Sequence, residues 1–162
     1  MKVKVKVPAT SANLGPGFDV AGLALTLYNT FTFELADQGL NITGCPEQFC
    51  NEENMTYQAF KQAAEICGLE YQGVNIECSG DVPYTRGLGS SSTCIVAGIV
   101  GAFAFKDKVE DRQEILELAT AIEGHPDNVA PAIFGGLTVS VMEEDNVLTL
   151  NIPVKHDYRL LH

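Results

Sequence analysis

Residues Pro83-Tyr84-Thr85-Arg86-Gly87-Leu88-Gly89-Ser90-Ser91-Ser92 run directly into an apolar stretch at 93–105, and no other part of the chain concentrates as much chemistry. Serines that open a helix leave unpaired backbone N–H groups and hydroxyls converging on one small space, with the positive end of the helix behind them. Such a place seats phosphate. Gly87 and Gly89 lack a Cβ, so the loop can take positive φ and a phosphate chain can come close to the backbone. The loop is not a Walker A motif, because no G-K-[ST] follows the glycines and Lys106 lies a whole helix away. A nucleotide here is held mainly by backbone amides and by Ser90, Ser91 and Ser92, with Pro83, Arg86 and Leu88 completing the loop. The competing structural explanation is a glycine–serine turn that caps a buried helix; three successive serines and the proline-led approach favour phosphate.

The elements around this loop read as alternating strands and helices, without repeats or low-complexity tracts. Lys2, Lys4 and Lys6 alternate with Val3, Val5 and Val7 as in a half-exposed strand. Residues 25–35, rich in Thr, Tyr and Phe, read as a second strand. Residues 54–67 predict a helix with Asn54 as N-cap, an inward stripe of Phe60, Ala63, Ala64 and Cys67, and Gly68 as stop. A short strand at 74–78 leads into the loop, and the helix behind it is apolar almost all round, as a buried central helix must be. Asp111 with Glu114 resembles a capping box for a helix running to Ile122 and stopping at Gly124. Asp127-Asn128 reads as the N-cap of a short helix at 129–134 with Pro131 in its first turn. Strands at 137–142 and 147–152 form a hairpin about Glu143-Glu144-Asp145-Asn146. Segregated strands and two-layer packing point to an α+β fold.

Composition narrows the classes. The 162 residues are 46% hydrophobic, enough for one compact unit burying roughly 70% of its unfolded surface. No secretory signal and no apolar run of membrane-spanning length is seen, so a cytoplasmic protein without a membrane partner is expected. Five cysteines, odd in number and without C-x-x-C spacing, disfavour a disulfide framework or a zinc site. A net charge of −11 argues against nucleic acid as a partner. Phosphate must then be held by local geometry against an unfavourable overall field, with a bound cation to help.

Two more segments are polar and glycine-rich: Pro8-Ala9-Thr10-Ser11-Ala12-Asn13-Leu14-Gly15-Pro16-Gly17-Phe18-Asp19 and Glu123-Gly124-His125-Pro126-Asp127-Asn128-Val129-Ala130-Pro131. With the serine loop, in this order, they closely resemble the GHMP kinases, and the first and third are worded as in the homoserine kinase group. The resemblance covers residues 3–141. It implies a fold similar to domain 2 of ribosomal protein S5, ATP and Mg²⁺ as cofactors, and phosphorylation of the hydroxyl of L-homoserine to O-phospho-L-homoserine in threonine biosynthesis. It also implies that residues 1–162 are an amino-terminal ATP-binding domain. Family members are roughly twice as long, so a truncated chain is expected, ending in the start of a strand at Tyr158-Arg159-Leu160-Leu161-His162. An exposed sheet edge or apolar face where the other half docks would favour aggregation or a homodimer.

The resemblance also assigns roles. A loop serine, Ser90 or Ser91, and a distant glutamate complete the Mg²⁺ shell; Glu117 matches the glutamate best and Glu123 is the alternative. Asn128 stands where many relatives place an aspartate. An amide cannot accept a proton at useful pKa, so Asn128 orients phosphate and hydroxyl, and the acceptor proton leaves late or goes to phosphate. Asn13, Asp19 and His125 are implied as contacts for homoserine, although Asn-Leu-Gly-Pro-Gly is also dense in turn formers. The arginines that grip the substrate carboxylate are expected beyond His162, and neither Arg86 nor Arg159 is assigned that role.

Overall fold

A computed structural model describes residues 1–143 and 146–154. In chain order it contains β1 (Lys2–Ala12), β2 (Ala21–Ala36), β3 (Gly39–Thr43), a 3₁₀ turn (Glu47–Phe49), α1 (Met55–Cys67), β4 (Gly73–Gly80), α2 (Ser90–Ala104), α3 (Arg112–Glu123), α4 (Pro126–Phe134), β5 (Leu137–Glu143) and β6 (Asn146–Ile152). The hairpin turn is described only at its ends, and the strand expected at 158–162 lies outside the described residues.

The strands form one mixed sheet in the order β3-β4-β2-β5-β6, with β1 along the free side of β2. All pairs are antiparallel except β3 with β4. The long strand β2 serves two neighbours on one side, β5 at residues 21–23 and β4 at residues 29–36. Val3, Val5 and Val7 are buried while Lys2, Lys4 and Lys6 are exposed, so helices cover one face of the sheet and water the other. Exposed lysines on the edge strand β1 also discourage pairing with a further strand.

Between the layers lies a single large core in which Phe33 of β2 stacks on Phe60 of α1, with ring centroids 5.4 Å apart. Phe33, Phe60 and Phe103 are fully buried, each contributing about 1.5–3 kcal/mol by transfer from water. α2 is buried along most of its length, through Ile95, Val96, Ile99 and Phe103, and is the central helix its apolar sequence predicts. Asn54 caps α1 through its side chain, which accepts from the N–H groups of Thr56 and Tyr57, and Gly68 ends it in the left-handed conformation. Asp111 caps α3 by accepting from the Glu114 N–H.

Three sequence expectations change. The first strand continues past Val7 through Ala12, because Ala12, Ser11 and Thr10 pair with residues 22–24 of β2. The strand β3 was not foreseen, since only Leu40 and Ile42 alternate within a polar segment. The cap of α4 is His125, with Pro126 in the first turn and Pro131 inside the helix. Asp127 and Asn128 therefore belong to the helix rather than capping it. Proline at the first helical position is pre-set in φ and lacks the N–H that would be unpaired there, so it starts the helix before Asp127 can.

Candidate functional site

The pairing of β1 with β2 is irregular between Pro8 and Thr10, and Ala9 there packs with Val82 and Leu88 in a small separate cluster. At this irregularity the Thr10 N–H bonds to the Leu88 carbonyl at 3.1 Å instead of to β2. Strand β1 thereby holds the serine loop directly. Asn29 of β2 holds it from another side: its side chain donates to Thr93 Oγ1 at 3.1 Å and accepts from the Val82 N–H at 3.2 Å. The loop enters α2 through Gly89 at φ 64°, and a Cβ there would collide with Thr10 Oγ1 and lie 3.3 Å from Asn128 Oδ1. Only glycine satisfies both the dihedral and the space.

Beyond Gly89 the first turn of α2 holds no acidic residue, so no carboxylate of that turn competes for its unpaired N–H groups, the kind of group that attracts an anion. The hydroxyls of Ser91 and Ser92 both donate to Glu123 Oε1, at 2.8 and 3.1 Å. This carboxylate belongs to the last residue of α3. Beside it, α4 presents Asn128, whose Oδ1 accepts from Thr10 Oγ1 at 2.8 Å. Asp127 is fully buried; His125 Nδ1 donates to its Oδ1 at 2.6 Å and Asn128 Nδ2 approaches the same oxygen at 3.4 Å, while Oδ2 has no partner.

Of these groups Ser91 and Asn128 border a cavity of about 640 Å³ that runs past Asn13, Asn29, Gly87 and Ser90 to an aromatic and thiol wall formed by Phe49, Tyr84, Cys45, Cys78 and Cys94. The Phe49 and Tyr84 rings lie 6.2 Å apart. Burial pushes the Cys78 thiol up to about 12, with the neighbouring Cys45, Cys94 and Cys50 adding to the shift. Cys45 is pushed up to about 11 by burial and by Cys50, and burial also raises Cys94 and Tyr84. The wall is thus uncharged near neutral pH.

The expected site residues do not all reach the cavity. Gly87, Gly89, Ser90, Ser91, Arg86, Asn13 and Asn128 line the cavity. Leu88 and Ser92 are buried, Leu88 as an anchor and Ser92 through Glu123, while Pro83 is exposed. Asp19 is exposed too, and its N–H donates to Asn13 Oδ1 at 2.9 Å, so these two residues brace a turn with positive φ at both. Glu117 is not brought to the loop. Its carboxylate accepts from Gln113 Nε2 at 2.7 Å, and Gln113 in turn donates to the Val147 carbonyl, tying α3 to β6. It stands about 9 Å further along the helix axis than Glu123, the alternative. Thr10 and Asn29 were not singled out from sequence; each acts through a partner more than sixty positions away.

Fold and site together define an α+β domain with a glycine–serine loop at the mouth of its central helix. The chain belongs to the GHMP kinases N terminal domain family, which matches residues 54–136. It is 49% identical over 160 residues to a homoserine kinase of Clostridium beijerinckii, covering 98% of this chain and 54% of that protein. A solved Listeria monocytogenes structure assigned to homoserine kinase superposes with a TM-score of 0.81 at 35% identity, covering 94% of this chain and 54% of its own. The homoserine kinase of Cytophaga hutchinsonii gives 0.78 at 30% identity, with 94% and 52% covered. The chain thus spans about half the length of the relatives it matches.

Proposed function

We propose that this chain is the nucleotide-binding half of an ATP-dependent homoserine kinase, transferring the γ-phosphoryl group of ATP to the hydroxyl of L-homoserine. The observation that carries the reading is the convergence of Ser91, Ser92 and Glu123 at the start of α2, with Asn128 on the same cavity. The names of the relatives, which match nearly all of this chain over about half of their own length, supply the acceptor.

Phosphoryl transfer asks the protein chiefly to position reactants and to stabilise charge. The N–H groups at the α2 start and the Ser90 and Ser91 hydroxyls cradle the polyphosphate, and the apolar wall at Phe49 and Tyr84 receives the base. Ser91 and Glu123 form a hard oxygen donor set of the small size that suits Mg²⁺, which keeps waters and phosphate as its other ligands. Among the described residues no group of three or more His, Cys, Asp or Glu side chains could hold a metal; Ser91 and Glu123 are the side chains assigned to it here. Magnesium bound there would draw together and neutralise the phosphate oxygens. Asn128, fixed by Thr10, orients the acceptor hydroxyl toward the phosphorus; lacking a basic atom, it leaves the hydroxyl proton to depart late, to phosphate or water. His125, held at Nδ1 by Asp127, offers Nε2 to the amino acid, and Asn13 and Asp19 shape the loop over it. The groups that hold the homoserine carboxylate come from a carboxy-terminal GHMP domain outside this sequence. A reaction on a free amino acid that consumes ATP, in a chain whose cysteines are free thiols, supports a cytosolic location. Among the described residues no helix is long and apolar enough to cross a membrane.

The test is ADP release from Mg²⁺·ATP with L-homoserine and a panel of other small alcohols, run on this chain alone and within any longer polypeptide that carries it. Turnover selective for homoserine supports the reading; turnover with another alcohol reassigns the acceptor, and no turnover in either form overturns the reading.

A further inference from the structure

The phosphoryl-transfer chemistry uses none of the four thiols gathered at the cavity. Cys45, Cys78 and Cys94 line the wall, and Cys50 stands behind Cys45 with its Sγ 3.5 Å away. Cys50 Sγ also points at the carbonyls of Cys45 and Pro46, at 3.6 and 3.7 Å. The two thiols are separated by four residues that form a 3₁₀ turn ending at Phe49, and both are partly open to solvent. A disulfide needs its sulfurs about 2.05 Å apart, so side-chain rotation and a shift of about 1.5 Å would join them.

We propose that Cys45 and Cys50 are a reversible dithiol–disulfide pair that loosens nucleotide binding when oxidised, an inference that rests on the nucleotide reading of this cavity. The oxidant is a low-molecular-weight disulfide, RSSR. One cysteine thiolate attacks a sulfur of RSSR and expels RS⁻; the second cysteine thiolate attacks the protein sulfur of the mixed disulfide and expels the other RS⁻. Two thiols lose two protons and two electrons, RSSR takes up both, and two RSH leave.

The coupling to the cavity follows from which side can move. Gly44 is pressed against the Cys78 carbonyl so closely that not even a Cβ would fit, so the backbone at Cys45 is pinned to β4. The displacement on bridging therefore falls on the turn that carries Cys50 and Phe49. That turn is joined to the start of α1, where Asn54 Nδ2 donates to the Phe49 carbonyl at 2.9 Å. Shifting it moves Phe49 relative to Tyr84 and reshapes the wall that receives the base. By linkage, a nucleotide that prefers the dithiol wall makes the pair harder to oxidise by the same factor.

The experiment treats the chain with glutathione disulfide, alkylates residual thiols, and reads intact mass and mapped peptides, with Mg²⁺·ATP affinity measured before and after. We expect a product lighter by two hydrogen atoms with Cys45 joined to Cys50, an affinity weakened by roughly fivefold or more, and recovery with dithiothreitol. Cys50→Ser should form no bridge and keep its affinity through the treatment. A bridge between any other pair, a persistent glutathione adduct, or a Cys45–Cys50 bridge that leaves affinity unchanged would overturn the proposal. Absence of nucleotide binding in the reduced chain would instead sink the nucleotide reading and with it the coupling, while the mass spectra still decide whether the pair bridges.

Discussion

Thr10 Oγ1 donates a 2.8 Å hydrogen bond to Asn128 Oδ1 across 118 positions of sequence. Because Thr10 is fully buried and its own N–H is bonded to Leu88 of the serine loop, one residue fixes both the loop and the Asn128 amide. Replacing it by valine keeps the shape and removes the bond. Thr10→Val should cost about 1 kcal/mol of stability but lower turnover roughly 10- to 100-fold through misplacement of Asn128, with ATP affinity much less affected. Urea unfolding and steady-state kinetics in the active polypeptide separate the two effects; equal turnover would show that Asn128 needs no such anchor.

The two loop glycines should behave differently. At Gly89 an added methyl meets both an unfavourable φ and the Thr10 side chain, whereas at Gly87, φ 69°, nothing lies within 4 Å. Gly89→Ala is expected to destabilise by at least about 2 kcal/mol and to abolish nucleotide binding, and Gly87→Ala to cost about 1–2 kcal/mol. Chemical denaturation of the two variants checks the ranking, and comparable losses would refute it.

Asp127 is buried with one oxygen holding His125 and the other unpaired. Asp127→Asn keeps the volume but weakens the charge-assisted bond that sets the imidazole. Its expected signature is a KM for homoserine raised roughly tenfold, equivalent to about 1.4 kcal/mol, with the KM for ATP unchanged. A change confined to ATP would place the pair on the nucleotide side.

The thiol wall makes stability fall in alkali. Cys45 and Cys78 are raised from 9.0 to about 11 and about 12, in both cases chiefly by burial, and Tyr71 rises from 10.0 to about 12 for the same reason. The folded chain therefore binds more protons than the unfolded one above pH 9, so stability present below that pH is lost as pH climbs toward 11–12. Urea midpoints measured at pH 7.5, 9 and 10.5 should decline over the upper interval, and Cys78→Ala should flatten the decline. A midpoint that holds or rises in alkali would contradict the burial of these groups.

Local patterns made much of the fold legible. Asn54, Gly68 and Asp111 act where their capping chemistry predicts, because a cap depends on neighbours within a few positions. The serine loop was legible for the same reason. What failed depended on distant partners: Ser11 and Ala12 become strand only because β2 offers them a ladder, and Thr10 gains its role only from Leu88 and Asn128. The placement of Glu123 beside the serine loop has a signal in the sequence. Glu123 follows Leu116, Ala119 and Thr120 at helical spacing, on the buried stripe of α3. A carboxylate in an apolar stripe must have a partner, and its partners are Ser91 and Ser92. Glu117 lies off that stripe and bonds within its own helix.

Calorimetric titration of the chain with Mg²⁺·ATP, repeated on Glu123→Gln and Glu117→Gln, bears most directly on the proposed seat. We expect one site, dependent on magnesium, weakened roughly 10- to 100-fold by Glu123→Gln and within about twofold of wild type in Glu117→Gln. Binding that survives Glu123→Gln but fails in Glu117→Gln, or no binding by the unaltered chain, would contradict a nucleotide and metal seat built from Ser91 and Glu123.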